Sequence, residues 1–205
     1  LIVYKFNNEK FRVVSNCSTF DDVNNFFESN ITKFDCEFLH KPTYGILAIQ
    51  GPESAIALEN ILELKLSDYK SFSFTEKNDL FISRTGYTGE DGLEIMTDNE
   101  NAIALVNFLI DQGSKPCGLG SRDTLRLEAS LPLYGFELTE NITPVEASLS
   151  WTITNKSDYL GSDVLNEQLS GKNHKILKKF TINSKKIART DTVGIAGDTK
   201  GIVTS

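Results

Sequence analysis

Apolar and polar positions alternate at the opening of the chain. Residues 1–6 and 11–16 read as two strands joined by Asn7-Asn8-Glu9-Lys10, a polar turn whose residues tolerate the left-handed region. The period then lengthens. Ser18 or Thr19 can cap a helix to about Ser29, with Phe20, Val23 and Phe27 on its inner face. Residues 34–39 and 44–50 are the next expected strands, with a turn at Lys41-Pro42. Gly51-Pro52 opens a second helix with proline at an early helical position, and Ile56, Leu58, Ile61 and Leu62 supply its apolar contacts. An extended piece near 71–74 completes the order strand, helix, strand, strand, helix, strand, which predicts a split β-α-β arrangement.

Residues 80–84 and 93–96 form an expected hairpin around a loop holding Gly86, Gly89 and Gly92. Alternation puts Leu93 and Ile95 on one side and Glu94 and Met96 on the other. Asp98 or Asn99 caps a helix over 101–112, with Ile103, Val106 and Ile110 as its buried stripe and Gly113 at its end. Gly118 and Gly120 then make a turn, and Ser121 caps a helix over 122–129 that Pro132 cannot continue. Arg122, Leu125, Arg126 and Ala129 share one face of it. Two arginines so placed repel unless an anion lies near, and the helix start adds its own N–H groups and dipole. These features describe a carboxylate site, filled by a side chain or a ligand. Arginine most often anchors local carboxylates, so the residues alone favour an ion pair. Residues 149–154 read as a strand and 158–165 as a short helix after a turn. Residues 174–183 and 202–205 read as strands of a second, β-rich region.

With 205 residues and 40% hydrophobic content, the chain can build one large domain, or one domain and a fragment of a second. No apolar run reaches membrane-spanning length, and a net charge of -7 argues against a nucleic-acid binder. Cys17, Cys36 and Cys117 are an odd, widely spaced set, as in a reduced protein. His40 and His174 stand apart from them and from each other, so no metal site is expected. Cys117 has no histidine near it to make a thiolate. The Gly86/Gly89/Gly92 loop lacks the Lys-Ser/Thr ending and following helix of a nucleotide site.

The stretch Lys115-Pro-Cys-Gly-Leu-Gly-Ser-Arg-Asp-Thr-Leu-Arg-Leu-Glu-Ala-Ser-Leu-Pro-Leu-Tyr-Gly135, continuing to Trp151, resembles the signature of the aminomethyltransferase family. This is the tetrahydrofolate-dependent T-protein of the glycine cleavage system. Arg84-Thr-Gly-Tyr-Thr-Gly-Glu-Asp-Gly-Leu-Glu94 is similar to the family's glycine-rich hairpin, and Ala48-Ile-Gln-Gly-Pro52 to its strand-to-helix turn. Leu1-Ile-Val-Tyr-Lys5 with Phe11-Arg-Val-Val-Ser-Asn16 resembles the hairpin that follows the family's Gly-Gly-x-x-Asp-Asp motif. The resemblance implies an α+β fold: a ferredoxin-like split β-α-β module with antiparallel sheets, then the start of a C-terminal β-barrel. Residues 1–153 would be part of the folate-binding region and 154–205 the start of the barrel, with further segments on both sides. The implied reaction moves the one-carbon unit from the aminomethyl-lipoyl H-protein to tetrahydrofolate and releases ammonia, with no metal. The implied partners are lipoylated H-protein and folate, with no nucleic acid and no membrane. The setting would be the cytoplasm in bacteria or the mitochondrial matrix in eukaryotes. A folate-dependent demethylase of the same fold, or a non-catalytic folate-binding maintenance protein, are the alternatives.

On the residues alone, Glu94 is a solvated outward side chain of a hairpin; the family places it at the folate site, where one carboxylate can accept the pterin's paired N–H donors. Arg122 matches a folate-site arginine, with Ser121 where the family frequently has alanine. Arg126 and Glu128 would brace their helix by local ion pairing. Asn16 matches a strand-end asparagine of the family, although Ser15 replaces its valine, and a simple cap is an equal reading. Tyr4 and Tyr87 could line an aromatic ligand or be core, and Trp151 matches a family tryptophan near the site. Glu90, Asp91 and Asp123 are assigned no chemistry, being common capping positions. Lys172 to Arg189 is locally basic and could steer an acidic carrier. No catalytic residue is expected in this chain, because the family's key acid lies in the motif upstream of Leu1. Positioned acid–base help is worth about a hundredfold or more. Residues 1–205 alone are therefore expected to give no aminomethyl transfer. A polypeptide extended upstream through that motif and downstream past Ser205 is expected to give it, as an ammonia-release assay can check.

Overall fold

β3 (Tyr44–Gln50) pairs along its whole length with β6 (Gly92–Asp98), from Tyr44 opposite Asp98 to Gln50 opposite Gly92. In this computed structural model, which describes residues 1–153 and 159–205, β6 also pairs with β5 (Leu80–Ser83), and β5 with β4 (Phe74–Lys77). The sheet order is β3-β6-β5-β4, and every pair is antiparallel. The period of two in β6 is realised as expected. Leu93 and Ile95 pack with Leu58, Leu62, Leu66, Ile82 and Leu109 on one face. Met96 packs with Tyr4 and Phe81 on the other. Burying each leucine or isoleucine contributes roughly 1.5–3 kcal/mol. β6 is covered on both faces, and only Glu94 and Asp98 along it are less than buried.

Helices α2 (Ser54–Leu62) and α3 (Asn99–Asp111) supply Leu58, Leu62 and Leu109 to the first face. The Asp98 carboxylate caps α3 by accepting from the Asn101 N–H at 2.9 Å. Strands β1 (Ile2–Lys5) and β2 (Phe11–Val14) form their own ribbon. It lays the Tyr4 ring edge-on against Phe81 and Phe74, at centroid distances of 4.8 and 5.4 Å. Helix α1 (Phe20–Ile31) follows, with Phe20, Val23 and Phe27 half-buried.

Several expectations are corrected. Residues 34–39 are not a strand: turns at Lys33 and Phe34 send the chain back along α1, where Phe38 stacks on Phe27 and His40 meets Phe20. Without that strand the described residues form no split β-α-β module, and the two strands flanking α2, β3 and β4, run antiparallel at opposite edges of the sheet. The extended piece expected at 71–74 starts at Phe74, because Phe72 has a left-handed φ of 64°. In α3 the buried row is Leu105 and Leu109, whereas Ile103 and Ile110 are exposed. The cap at Asp98 joins α3 directly to β6 and sets that phase. α2 begins at Ser54, after Pro52. The side chain of Ile56 lies outside the described residues, as do Thr154 and Asp158, on which two expected elements fell.

The chain divides into two compact units, Leu1–Arg122 and Asp123–Ser205, within α4 (Leu119–Glu128). In the second, Arg126 is 3% exposed and anchors a buried network. Its Nε donates to Asp123 at 2.7 Å and its Nη1 to Glu137 at 3.2 Å. Both Nη groups donate to Ser205 Oγ, which in turn donates to Glu137 Oε1 at 2.6 Å. The face expected to share two arginines thus buries one of them, and Arg126 reaches well beyond local bracing. Residues 149–153 form a 3-10 turn in place of a strand, because the Thr152 N–H and hydroxyl both donate to the Leu149 carbonyl. The short helix expected over 158–165 is found about one turn later, as α5 (Ser162–Leu169), after the left-handed Gly161. Residues 174–183 are not a strand; Lys175 and Leu177 donate instead to the side chain and carbonyl of Glu146. The final pairing is the ribbon β7 (Val193–Ala196) and β8 (Thr199–Ile202), so the strand expected at 202–205 ends where it was to begin. Among the described residues no helix is long and apolar enough to cross a membrane.

Burial pushes the Glu137 carboxyl up, but hydrogen bonds from Ser205, Thr204 and the Leu133 N–H, with the Arg126 charge, outweigh it and hold the group below the usual range. A depressed folded value contributes stability that is present above the unfolded value near about 4.3 and lost as pH falls through the folded one. Glu137→Gln is expected to lower stability at pH 7 by about 3 kcal/mol by leaving Arg126 undercompensated. It should also flatten the acid limb below about pH 4. Urea unfolding followed by fluorescence of Trp151, the chain's single tryptophan, reads this unit.

Candidate functional site

The link between β5 and β6 is short enough to be a hairpin and too glycine-rich to hold itself, so its shape comes from its two ends. Arg84 donates twice to the Asp91 carboxylate, from Nε at 3.0 Å and Nη2 at 2.6 Å. This bidentate pair closes the loop like a clasp. The remaining Arg84 amine donates to the carbonyls of Leu66 and Tyr69. The guanidinium holds Asp91 below the usual carboxylate range, against a desolvation push upward and with help from the Gly92 N–H. Arg84 is correspondingly raised, first by its hydrogen bonds to Asp91. The backbone carbonyl of Asp91 accepts from the Gly51 N–H at 3.0 Å and from Ser54 Oγ at 3.0 Å. The strand-to-helix turn after β3 and the glycine-rich loop are therefore one assembly.

Glu94 stands at the foot of this loop, opposite Ser83 on β5 and Ala48 on β3. Thr85 Oγ1 donates to Glu94 Oε2 at 2.5 Å. Ser83 Oγ lies 2.8 Å from Thr85 Oγ1, and Tyr4 OH lies 3.4 Å from it. A hydroxyl has one proton; given to Glu94, it leaves the Thr85 oxygen as an acceptor for Ser83 and Tyr4. Ser83, Thr85 and Tyr4 are all buried and Glu94 is half-buried. Such a carboxylate keeps acceptor capacity beyond Thr85, suited to a flat edge carrying N–H donors. Two positions further along the loop, Tyr87 lies under the Arg122 guanidinium, with Cζ 4.3 Å from the ring centroid.

The structure thus ties Glu94 to Tyr4 through Thr85, and Arg122 to Tyr87, with Thr85 and Tyr87 on one loop. The Tyr4 ring is spent on Phe74 and Phe81, and its hydroxyl reaches Thr85, not Glu94 itself. Arg122 is exposed and is the fourth residue of α4; Ser121, expected as its cap, sits inside the first turn, because α4 starts at Leu119. Asn16 is exposed at the strand end, and its carbonyl accepts from the Thr19 N–H and hydroxyl, as a cap would. Trp151 belongs to the second unit and is 68% exposed. Among the described residues no cluster of three or more His, Cys, Asp or Glu could hold a metal. Sequence reasoning did not single out Thr85, Ser83, Arg84 or Gln50, and gave Asp91 no task. The one available signal was an arginine and an aspartate bracketing a loop that holds Gly86 and Gly89, which a clasp explains better than a cap.

Asp91→Asn keeps the shape of the clasp and removes its charge. It is expected to lower stability at pH 7 by about 1 kcal/mol, the upper end for a partly exposed pair because the geometry is bidentate. Urea midpoints of the two proteins measure it.

Comparison with known proteins identifies the family. The family described as the GCVT N-terminal domain matches residues 1–157. The chain is 41% identical to an aminomethyltransferase of Alcanivorax borkumensis, over 99% of this chain and 53% of that protein. It is 36% identical to one of Exiguobacterium sibiricum, over 100% of this chain and 59% of that protein. The crystal structure of the glycine cleavage system aminomethyltransferase T from Bartonella henselae superposes with a TM-score of 0.72 at 32% identity, covering 78% of this chain and 45% of that one. The chain spans about half the length of the curated relatives it matches. The sequence match and the shared fold place the chain in the aminomethyltransferase family of the glycine cleavage T-protein.

Proposed function

We propose that the protein containing this chain is a tetrahydrofolate-dependent aminomethyltransferase of glycine cleavage. It takes the one-carbon unit from the aminomethyl-lipoyl arm of H-protein, releases ammonia and yields methylene-tetrahydrofolate. Residues 1–153 then belong to the folate-binding region and 154–205 to the start of the C-terminal barrel. The observation that carries this reading is the Glu94 carboxylate, set half-buried between the buried Leu93 and Ile95 and oriented by the Thr85 hydroxyl. An acid drawn partly out of water is costly unless its hydrogen bonds are satisfied. A pterin edge, with a ring amide and an exocyclic amine, supplies the complementary pair of donors.

In this reading Glu94 fixes the ring, and Thr85, held by Ser83 and Tyr4, fixes the rotamer of Glu94. Arg122, braced on Tyr87, provides a guanidinium that keeps its charge when a ligand covers it and can pair with an acidic or carbonyl oxygen. Tetrahydrofolate supplies the amines that receive the one-carbon unit. The contribution of this chain is to hold them in register with the incoming arm, the positioning part of catalysis. The general acid or base is assigned to the family motif outside these residues. Asn16 is a further proposed ligand-facing residue of the first unit; Trp151, in the second unit, is proposed as ligand-facing on the family resemblance alone, and the basic run from Lys172 to Arg189 is the proposed steering surface for an acidic carrier.

Glu94→Gln and Arg122→Ala in the full-length protein are each expected to weaken binding of tetrahydrofolate by about 1–3 kcal/mol, the scale of one charged hydrogen bond. Titration calorimetry measures it. Native affinity in both variants would remove the folate reading.

A further inference from the structure

Gln50 is the last residue of β3, and its side chain runs into the glycine-rich loop. Nε2 donates to the carbonyl of Thr85 at 3.1 Å and to that of Leu93 at 3.3 Å. Oε1 accepts from Thr88 Oγ1 at 3.2 Å. Two carbonyl partners on one side and a hydroxyl on the other fix which end carries the nitrogen. The loop glycines make room for this amide. A Cβ on Gly86 would stand 1.9 Å from Gln50 Oε1 and 2.6 Å from its Cδ. A Cβ on Gly92 would stand 2.9 Å from Nε2, besides meeting the Ile49 carbonyl at 2.2 Å. The carbonyls that Gln50 gathers belong to Thr85, which donates to Glu94, and to Leu93, which precedes Glu94 in β6.

We propose that Gln50 is a positioning residue for the Glu94 site: its amide occupies the gap left by Gly86 and Gly92 and sets the backbone on both sides of the Thr85–Glu94 hydrogen bond. The role rests on the reading of Glu94 as the reduced-folate ligand. Arg84 and Asp91 close the loop from outside, whereas Gln50 fills it from inside. Space-filling alone would need only the shape of the side chain; positioning needs the N–H donors. Glutamate has nearly the same shape and turns two attractive contacts with carbonyls into repulsive ones. Gly86→Ala reaches the same end by another route, because the atoms nearest its new methyl group are those of Gln50.

The test uses the full-length protein and 5-formyltetrahydrofolate, an oxidation-stable reduced folate. Gln50→Glu and Gly86→Ala are each expected to weaken its binding about tenfold, the scale of one lost hydrogen bond. Amide exchange across the loop residues 84–91 should quicken by a similar factor, while the β3–β6 ladder exchanges as in the native protein. In a Gln50→Ala background, Gly86→Ala should cost nothing further, because the clash it creates is gone. Native affinity and native loop protection in Gln50→Glu would overturn the proposal, as would losses that multiply in the double variant. If both variants loosen the loop but the native protein does not bind the reduced folate, the folate reading falls and the placement of the loop by Gln50 is supported.

Discussion

The ion pair between Arg84 and Asp91 is the constraint on which the rest of the first unit depends. It joins the two ends of a loop that has no secondary structure of its own, and through the Asp91 carbonyl it ties that loop to the turn at Gly51 and Ser54. Everything distinctive about the site follows from this closure. With the ends fixed, Thr85 is brought over Glu94 and Tyr87 is brought under Arg122. Gln50 then has an enclosed space to fill, and its amide satisfies carbonyls that the loop cannot pair with itself.

β6 explains why this loop is worth holding. A strand covered on both faces is expected to carry apolar residues throughout, and this one carries Leu93, Ile95 and Met96 as packing groups for two separate clusters. Glu94 interrupts that run. A carboxylate in such a place destabilises the fold unless donors reach it, so its presence is an expense that function explains more readily than packing does. Arg126 in the second unit shows the contrasting case. There the buried charge is met on every side by Asp123, Glu137 and Ser205, and the network accounts for itself as structure.

The sequence made the hairpin from 80 to 96 legible because its period of two is clean and glycines mark the loop. The α3 cap was legible because Asp98, a capping residue type, stands immediately before the helical pattern. The two false strands at 34–39 and 174–183 have one cause. Apolar residues there resemble strands, yet a strand needs a neighbour, and other contacts took these segments: Phe27 stacking on Phe38 in one case, Glu146 accepting from Lys175 and Leu177 in the other. The two arginines of α4 could not be told apart by spacing; burial assigned Arg126 to structure and left Arg122 exposed. Glu94 and Arg122 entered through family resemblance, since alternation alone would have made Glu94 a surface residue. Gln50 was out of reach, because nothing in a strand-end glutamine announces that its partners lie 35 and 43 positions away.

The central claim is that the β5–β6 loop and β6 present Glu94 to the ring of a reduced folate. A crystal structure of the full-length protein with tetrahydrofolate bound tests it most directly. The account predicts the pterin edge within hydrogen-bond distance of the Glu94 carboxylate, with Thr85 still donating to the same group and the Arg84–Asp91 clasp closed. A ring seated elsewhere, with Glu94 bonded to protein or water alone, would contradict it.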